Sequence, residues 1–333
     1  MSQISHLKSH ISSHKSQIQY LMIVLDSSAP SFCYYEAATH NRKVIPFEML
    51  ERGIEFAVNK SLGITAIYGT ETLPDEHRQL LDAVAHIRIL PYRDGVNFTG
   101  NDLVVLDASR DASFPYRLLE QEITHLTLAI HLSDAGKMYS FIENNHCFLR
   151  RLSVVFKGLE TADECMLNDF RLALQRLRPL LFNILSKERF PEIGFATDRM
   201  FLGEMNNCNA GVTHVTLAPD GKFYICPGFY HDSVLPVGSL EDGIQIKNPQ
   251  LLAYSHAPIC QRCDCYQCKR CVYLNRRTTL EANTPSHQQC VASHHERNLS
   301  GWVLRKFQNQ GMMEDLPEIP PLFYLDPMEN IDG

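Results

Sequence analysis

Eight of the chain's 11 cysteines lie between Cys208 and Cys290, about a quarter of the 333 residues. Two of the pairs are Cys260-Gln-Arg-Cys263 and Cys268-Lys-Arg-Cys271, four residues apart, with Cys265 between them. A Cys-x-x-Cys turn brings two thiolates within reach of one metal centre. Four thiolates complete either a tetrahedral zinc site or one iron–sulfur cluster. Eight make two sites arithmetically open. So few apolar residues accompany them that bound metal would supply much of the local folding free energy, on the order of 10 kcal/mol for a structural zinc site. The competing reading, in which free cysteines act as small buried hydrophobes, sits poorly with eight at this spacing. It does suit Cys147 and Cys165, which are expected in the core. No signal peptide core is visible, so the cytoplasm is the expected compartment, and thiols there stay reduced.

The order Cys208-x12-Gly221-x4-Cys226, a gap, Cys260-x2-Cys263-x4-Cys268-x2-Cys271, a gap, then Cys290 resembles the SPASM domain. That domain follows the barrel in radical SAM enzymes that modify ribosomally made peptides and proteins. The resemblance covers about residues 205–292 and implies one or two [4Fe–4S] clusters. Cys208, Cys226 and Cys271 would ligate the first, and Cys260, Cys263, Cys268 and Cys290 the second. The central spacings are each one residue shorter than the family's. Residues 194–207 contain no extra upstream cysteine, which leaves the first site with three thiolates, either as a cluster with an open iron or empty. Cys265 is a spare thiol.

A radical SAM enzyme also carries Cys-x3-Cys-x2-Cys after its first strand. Here Ala29 and Glu36 stand where the outer two cysteines belong, and only Cys33 remains. Tyr68-Gly69-Thr70-Glu71 lies where such enzymes hold the cofactor's amino group with Gly-Gly-Glu. Cys33, Gly69 and Glu71 are therefore the candidate cofactor-binding positions. One thiolate and one carboxylate do not make the three-thiolate site, so conventional radical SAM chemistry is not expected and S-adenosylmethionine is in doubt. The whole chain looks like the CXXX repeat peptide maturase family, whose members resemble radical SAM/SPASM enzymes without the three-cysteine motif. Residues 47–73, with Arg52-Gly53-Ile54-Glu55-Phe56-Ala57, carry much of this likeness. It implies a cysteine-repeat precursor peptide as partner, and leaves open a separate modifying enzyme that this chain would serve as a scaffold. A structural zinc protein is the remaining alternative.

The elements that must position these groups alternate. Strands are expected at 20–25, 64–68, 86–90, 103–106, 123–132 and 152–156. Helices are expected at 46–60, 75–84, 114–121, 135–145 and 161–177, the last bent or ended by Pro179. Six mostly parallel strands with helix-length connections predict an α/β fold, a partial TIM-like barrel of the radical-SAM type; a doubly wound sheet has the same rhythm. A hairpin with a Pro219-Asp220-Gly221 turn is expected over 212–225, and a final helix over 299–307. The expected divisions are a polar tail at 1–19, the degenerate barrel at 20–200, the cysteine module at 201–295, and a helix and tail at 296–333. His6, His10 and His14 recur every four residues within that first tail. The net charge of −7 disfavours a nucleic-acid partner. Lys269, Arg270, Arg276 and Arg277 form a local basic patch, read as solvated surface. No apolar run reaches the length of a membrane span.

Overall fold

Strand side chains alternate between two faces, and the apolar residues of this chain are placed to use both. The computed structural model describes residues 18–36, 42–93, 96–109, 116, 118, 123–187, 189–203, 205 and 207–322. In chain order it contains β1 (Tyr20–Val24), α1 (Phe47–Asn59), β2 (Gly63–Ile67), α2 (Asp75–Asp82), β3 (His86–Pro91), β4 (Leu103–Asp107) and β5 (His125–His131). Then follow α3 (Met138–Asn145), β6 (Arg151–Lys157), α4 (Glu164–Leu185), β7 (Glu192–Ile193) and α5 (Asp198–Phe201). The last part holds β8 (His214–Leu217), β9 (Phe223–Tyr224), α6 (Pro227–His231), α7 (Val272–Thr279) and α8 (His287–Gln308). The helix expected at 114–121 falls almost wholly outside the described residues, as do His6, His10 and His14.

One nine-stranded sheet runs in the order β7-β6-β5-β4-β3-β2-β1-β8-β9. Every neighbouring pair is parallel except the β8–β9 hairpin. The sheet is an open arc: β7 and β9 are its edges, and the expected barrel does not close. Leu21, Ile23, Ile64 and Ala66 form one face, packed with Leu50, Ile54 and Ala57 of α1 and Leu81 of α2. Val24, Ile67, Ile89 and Val105 form the other, packed with Ala29 and Phe32 from the loop after β1. In this part of the sheet, then, helices cover one face and a loop the other, unlike a doubly wound sheet. The cysteine-rich segment is built onto this frame, because Leu21 pairs with Ile64 on one side and with Val215 of β8 on the other.

Four expectations are corrected. α4 runs on through Pro179 to Leu185. Leu181, Ile184 and Leu185 beyond the proline are buried, and that packing outweighs the lost hydrogen bond. α8 begins at His287, twelve residues before the expected start, and so crosses the 295/296 division. The buried face of its first half carries Ser293, His294, Glu296 and Arg297, so no apolar stripe announced that half. The signal that could have found it is the capping box of Ser286 and Gln289. Cys147 and Cys165 are exposed, not in the core. Lys269 and Arg270 are buried, so only part of the basic patch is surface. The chain after α8 folds back on it: Leu322 N–H donates to Asn298 Oδ1 at 3.2 Å, and Arg297 donates to the Pro320 carbonyl. Among the described residues no helix is long and apolar enough to cross a membrane.

Candidate metal centres

The cysteines sort into two groups, each lining its own cavity. A cavity of about 310 Å³ lies against the loop-covered face of the sheet. Cys208, Cys226 and Cys271 line it together with Cys33. Its floor is apolar, built from Met22 of β1, Ile87 and Ile89 of β3 and Leu103 of β4. A second, narrow cavity of about 20 Å³ is lined by Cys260, Cys263, Cys265, Cys268 and Cys290.

Local structure explains the second group. A short 3-10 turn at Cys260–Arg262 sets the first Cys-x-x-Cys pair. The Cys265 N–H donates to Cys263 Sγ at 3.4 Å, and the Arg270 N–H to Cys268 Sγ at 3.4 Å. Asn207 Nδ2 donates to Cys268 Sγ at 3.2 Å. Donors aimed at sulfur stabilise thiolate over thiol, so these residues fit the iron–sulfur cluster that the spacing implies. Such a cluster would supply a one-electron centre held by Cys260, Cys263, Cys268 and Cys290. Cys265 donates its S–H to the Ser293 carbonyl of α8 at 3.3 Å, and the same helix supplies Cys290 to the cavity lining. Among the described residues no three His, Cys, Asp or Glu side chains are arranged to hold a single metal ion.

Electrostatics couple the members of each group. Burial pushes the Cys208 and Cys260 thiols up to about 12. Burial also raises Cys226, Cys263 and Cys265. The neighbouring Cys271 thiol, followed by burial, raises Cys33, and Cys33 in turn lowers Cys271. Uncompensated, most of these sulfurs hold their protons. A positive centre is needed to draw them off, and binding it releases protons.

Buried ions tie the second group to the frame. Glu296 of α8 accepts from Arg199 of α5 at 2.7 Å and from Lys269 at 2.6 Å, and all three side chains are at most 5% exposed. Lys269 Nζ also lies 4.8 Å from the centroid of the Phe156 ring. Sequence reading missed this triad, because its members are scattered over 98 residues and carry no spacing.

The remaining candidate positions do not join the cysteines. Gly69 and Glu71 do not line the cavity that holds Cys33. Glu71 pairs with Arg42 at 2.5 Å, and Arg42 with the fully buried Asp26 at 2.6 Å. Gly69 packs so closely on Asp26 that a Cβ there would collide with the carboxylate. Gly69→Ala is therefore expected to cost about 1–3 kcal/mol of stability by overpacking, read by denaturant unfolding. Ala29 is buried against the sheet. Glu36 sits 3.5 Å from Lys157, which also pairs with Asp107 at 3.0 Å. Lys157 and Asp107 end β6 and β4, the position where parallel sheets place functional groups, and no sequence motif marked them.

No family model matches the chain, and no curated protein matches it either. Among solved structures it is similar to SuiB of Streptococcus suis. Against SuiB bound to precursor peptide SuiA the identity is 16% and the TM-score 0.43, over 68% of this chain and 63% of SuiB. Against SuiB bound to S-adenosylmethionine they are 12% and 0.36, over 68% and 64%. The match thus spans less than two thirds of SuiB's length.

Proposed function

We propose that this chain is an iron–sulfur protein that acts in the maturation of a ribosomally made cysteine-repeat peptide. The observation that carries this reading is the sorting of the cysteines into two cavity-lining groups, one of them against an apolar sheet face. The larger cavity is within the size range of ligand pockets, about 300–1,000 Å³. Its open end, where Tyr20 and Ile87 are each 47% exposed, gives entry to an extended peptide. The peptide's nature comes from the SPASM-like spacing and the likeness to the CXXX repeat peptide maturases.

A non-catalytic version, in which the chain holds the peptide for a separate modifying enzyme, is favoured by three contacts. Ala29 is spent on apolar packing, Glu36 pairs with Lys157, and Glu71 pairs with Arg42. That leaves one thiol on the loop where three would hold the S-adenosylmethionine cluster.

Anaerobically reconstituted protein, titrated with a synthetic Cys-x-x-x repeat peptide, is expected to bind it saturably, read by calorimetry, and to bind a scrambled peptide of the same composition more weakly. Equal or absent binding of the two peptides would remove the peptide reading. Incubated with S-adenosylmethionine, reductant and peptide, the protein is expected to release no 5′-deoxyadenosine above background. Release of that product would instead establish radical chemistry and remove the scaffold version.

A further inference from the structure

We propose that Cys33 is the fourth thiolate of the first site, so that this centre is closed jointly by the loop after β1 and the cysteine-rich segment. The inference rests on the iron–sulfur reading above and revises one part of it: the first site has four sulfurs, not three.

Four observations converge. Cys33 lines the same cavity as Cys208, Cys226 and Cys271. Its thiol lies near enough to those of Cys271, Cys208 and Cys226 to interact with each of them electrostatically. Its backbone is held in place, since the buried Ser31 Oγ donates to the Cys33 carbonyl at 2.9 Å and accepts from its N–H at 3.4 Å. The loop is also locked to the element that carries a partner thiol. The Tyr35 ring, 1% exposed, stacks on His231 with centroids 5.2 Å apart and planes at 8°. His231 ends α6, and Cys226 is the residue that caps the start of α6. Phe32 meets Tyr35 edge-on at 5.9 Å and anchors the loop to the sheet through Ile67, Ile89 and Val105. Cys33 is thus aimed at the partner sulfurs by packing on both sides.

The chemistry suits a cluster of several irons. The four cysteines line a cavity far larger than one ion, and four thiolates are the full protein ligand set of a [4Fe–4S] centre. A fourth thiolate removes the open iron on which a substrate thiol could land. The first centre is then an electron-transfer or structural one, and a peptide is held by the apolar floor beside it. The same assignment explains why a single cysteine remains on a loop that has lost its two companions.

The test uses the full chain, purified and reconstituted without oxygen, as wild type, Cys33→Ala, Cys33→Ser and Cys147→Ala. Iron and acid-labile sulfide are counted per chain, and the reduced samples are examined by EPR. Wild type is expected to hold two clusters. Cys33→Ala should keep about half the iron and sulfide, Cys33→Ser should shift the signal of one cluster, and Cys147→Ala should match wild type. Differential alkylation of loaded wild type guards against a variant that fails to fold. Iodoacetamide should spare Cys33 together with Cys208, Cys226 and Cys271, and chelation should release all four together. Cys33→Ala with undiminished iron and an unchanged spectrum would overturn the proposal. So would alkylation of Cys33 while the other three stay protected, or a Cys33–Cys271 disulfide in loaded protein. Wild type that binds no iron under these conditions would sink the underlying iron–sulfur reading instead.

Discussion

Chelation of iron from the reduced protein should unfold the segment between α6 and α7 while leaving the sheet folded. That segment has little regular structure of its own: a two-residue ribbon, Gly238–Ser239 with Gly243–Ile244, and single 3-10 turns at Pro249–Leu252, Tyr254–His256 and Cys260–Arg262. Few buried apolar residues accompany it, chiefly Leu252 and Ala257. The metal-linked term, on the order of 10 kcal/mol per structural site, exceeds the entire margin of many domains, about 5–15 kcal/mol. The expected readout is a large rise in amide exchange and proteolytic cutting across residues 245–271, with β1 to β6 still protected. The pH dependence has a definite sign. Cys208 and Cys260 hold their protons up to about 12 without metal, so loading displaces protons and iron is lost more readily as pH falls. Unchanged exchange across 245–271 after complete iron removal would show that protein contacts alone hold the segment.

The six parallel strands were legible because each is a short apolar run separated by turn residues, and the register only had to follow. Closure was not legible. Whether an arc of strands becomes a barrel depends on what packs at its edges, and here the hairpin of β8 and β9 extends the sheet beyond β1. The cysteine spacing named the groups that could ligate metal, since it is a local property. The placement of Cys33 beside Cys271, 238 residues later in the chain, is not local. It depends on Tyr35 stacking on His231, and no spacing rule contains that contact. α8 was hidden for a related reason. A helix is usually found by its apolar stripe, but the first half of this one buries Glu296, Arg297 and two histidines. Lys269 and Arg270 read as surface because charged residues seldom go inside, and they are inside because Glu296 and the Leu252 carbonyl receive them.

That buried triad makes the largest single-residue effect expected in the chain. Glu296→Gln should destabilise the protein by about 3–5 kcal/mol, because it leaves the Arg199 and Lys269 cations buried without their counter-charge. Burial already lowers Lys269, with Glu296 holding its charge in place. In the variant the lysine can shed its proton, whereas Arg199 cannot. The unfolded chain then binds more protons than the folded one, so the stability lost at neutral pH is partly recovered as pH rises. Replacing all three groups, as Arg199→Met, Lys269→Met and Glu296→Leu, should cost far less than the single change, since no uncompensated charge remains. The triad also braces the second cysteine group. Lys269 follows Cys268 directly, and Glu296 sits on α8 six residues beyond Cys290. Glu296→Gln should therefore speed iron loss to a chelator, and the triple variant should restore retention if packing alone holds the walls of that cavity. A triple variant as leaky as the single one would mean that the charges themselves, close to the thiolates, hold the cluster.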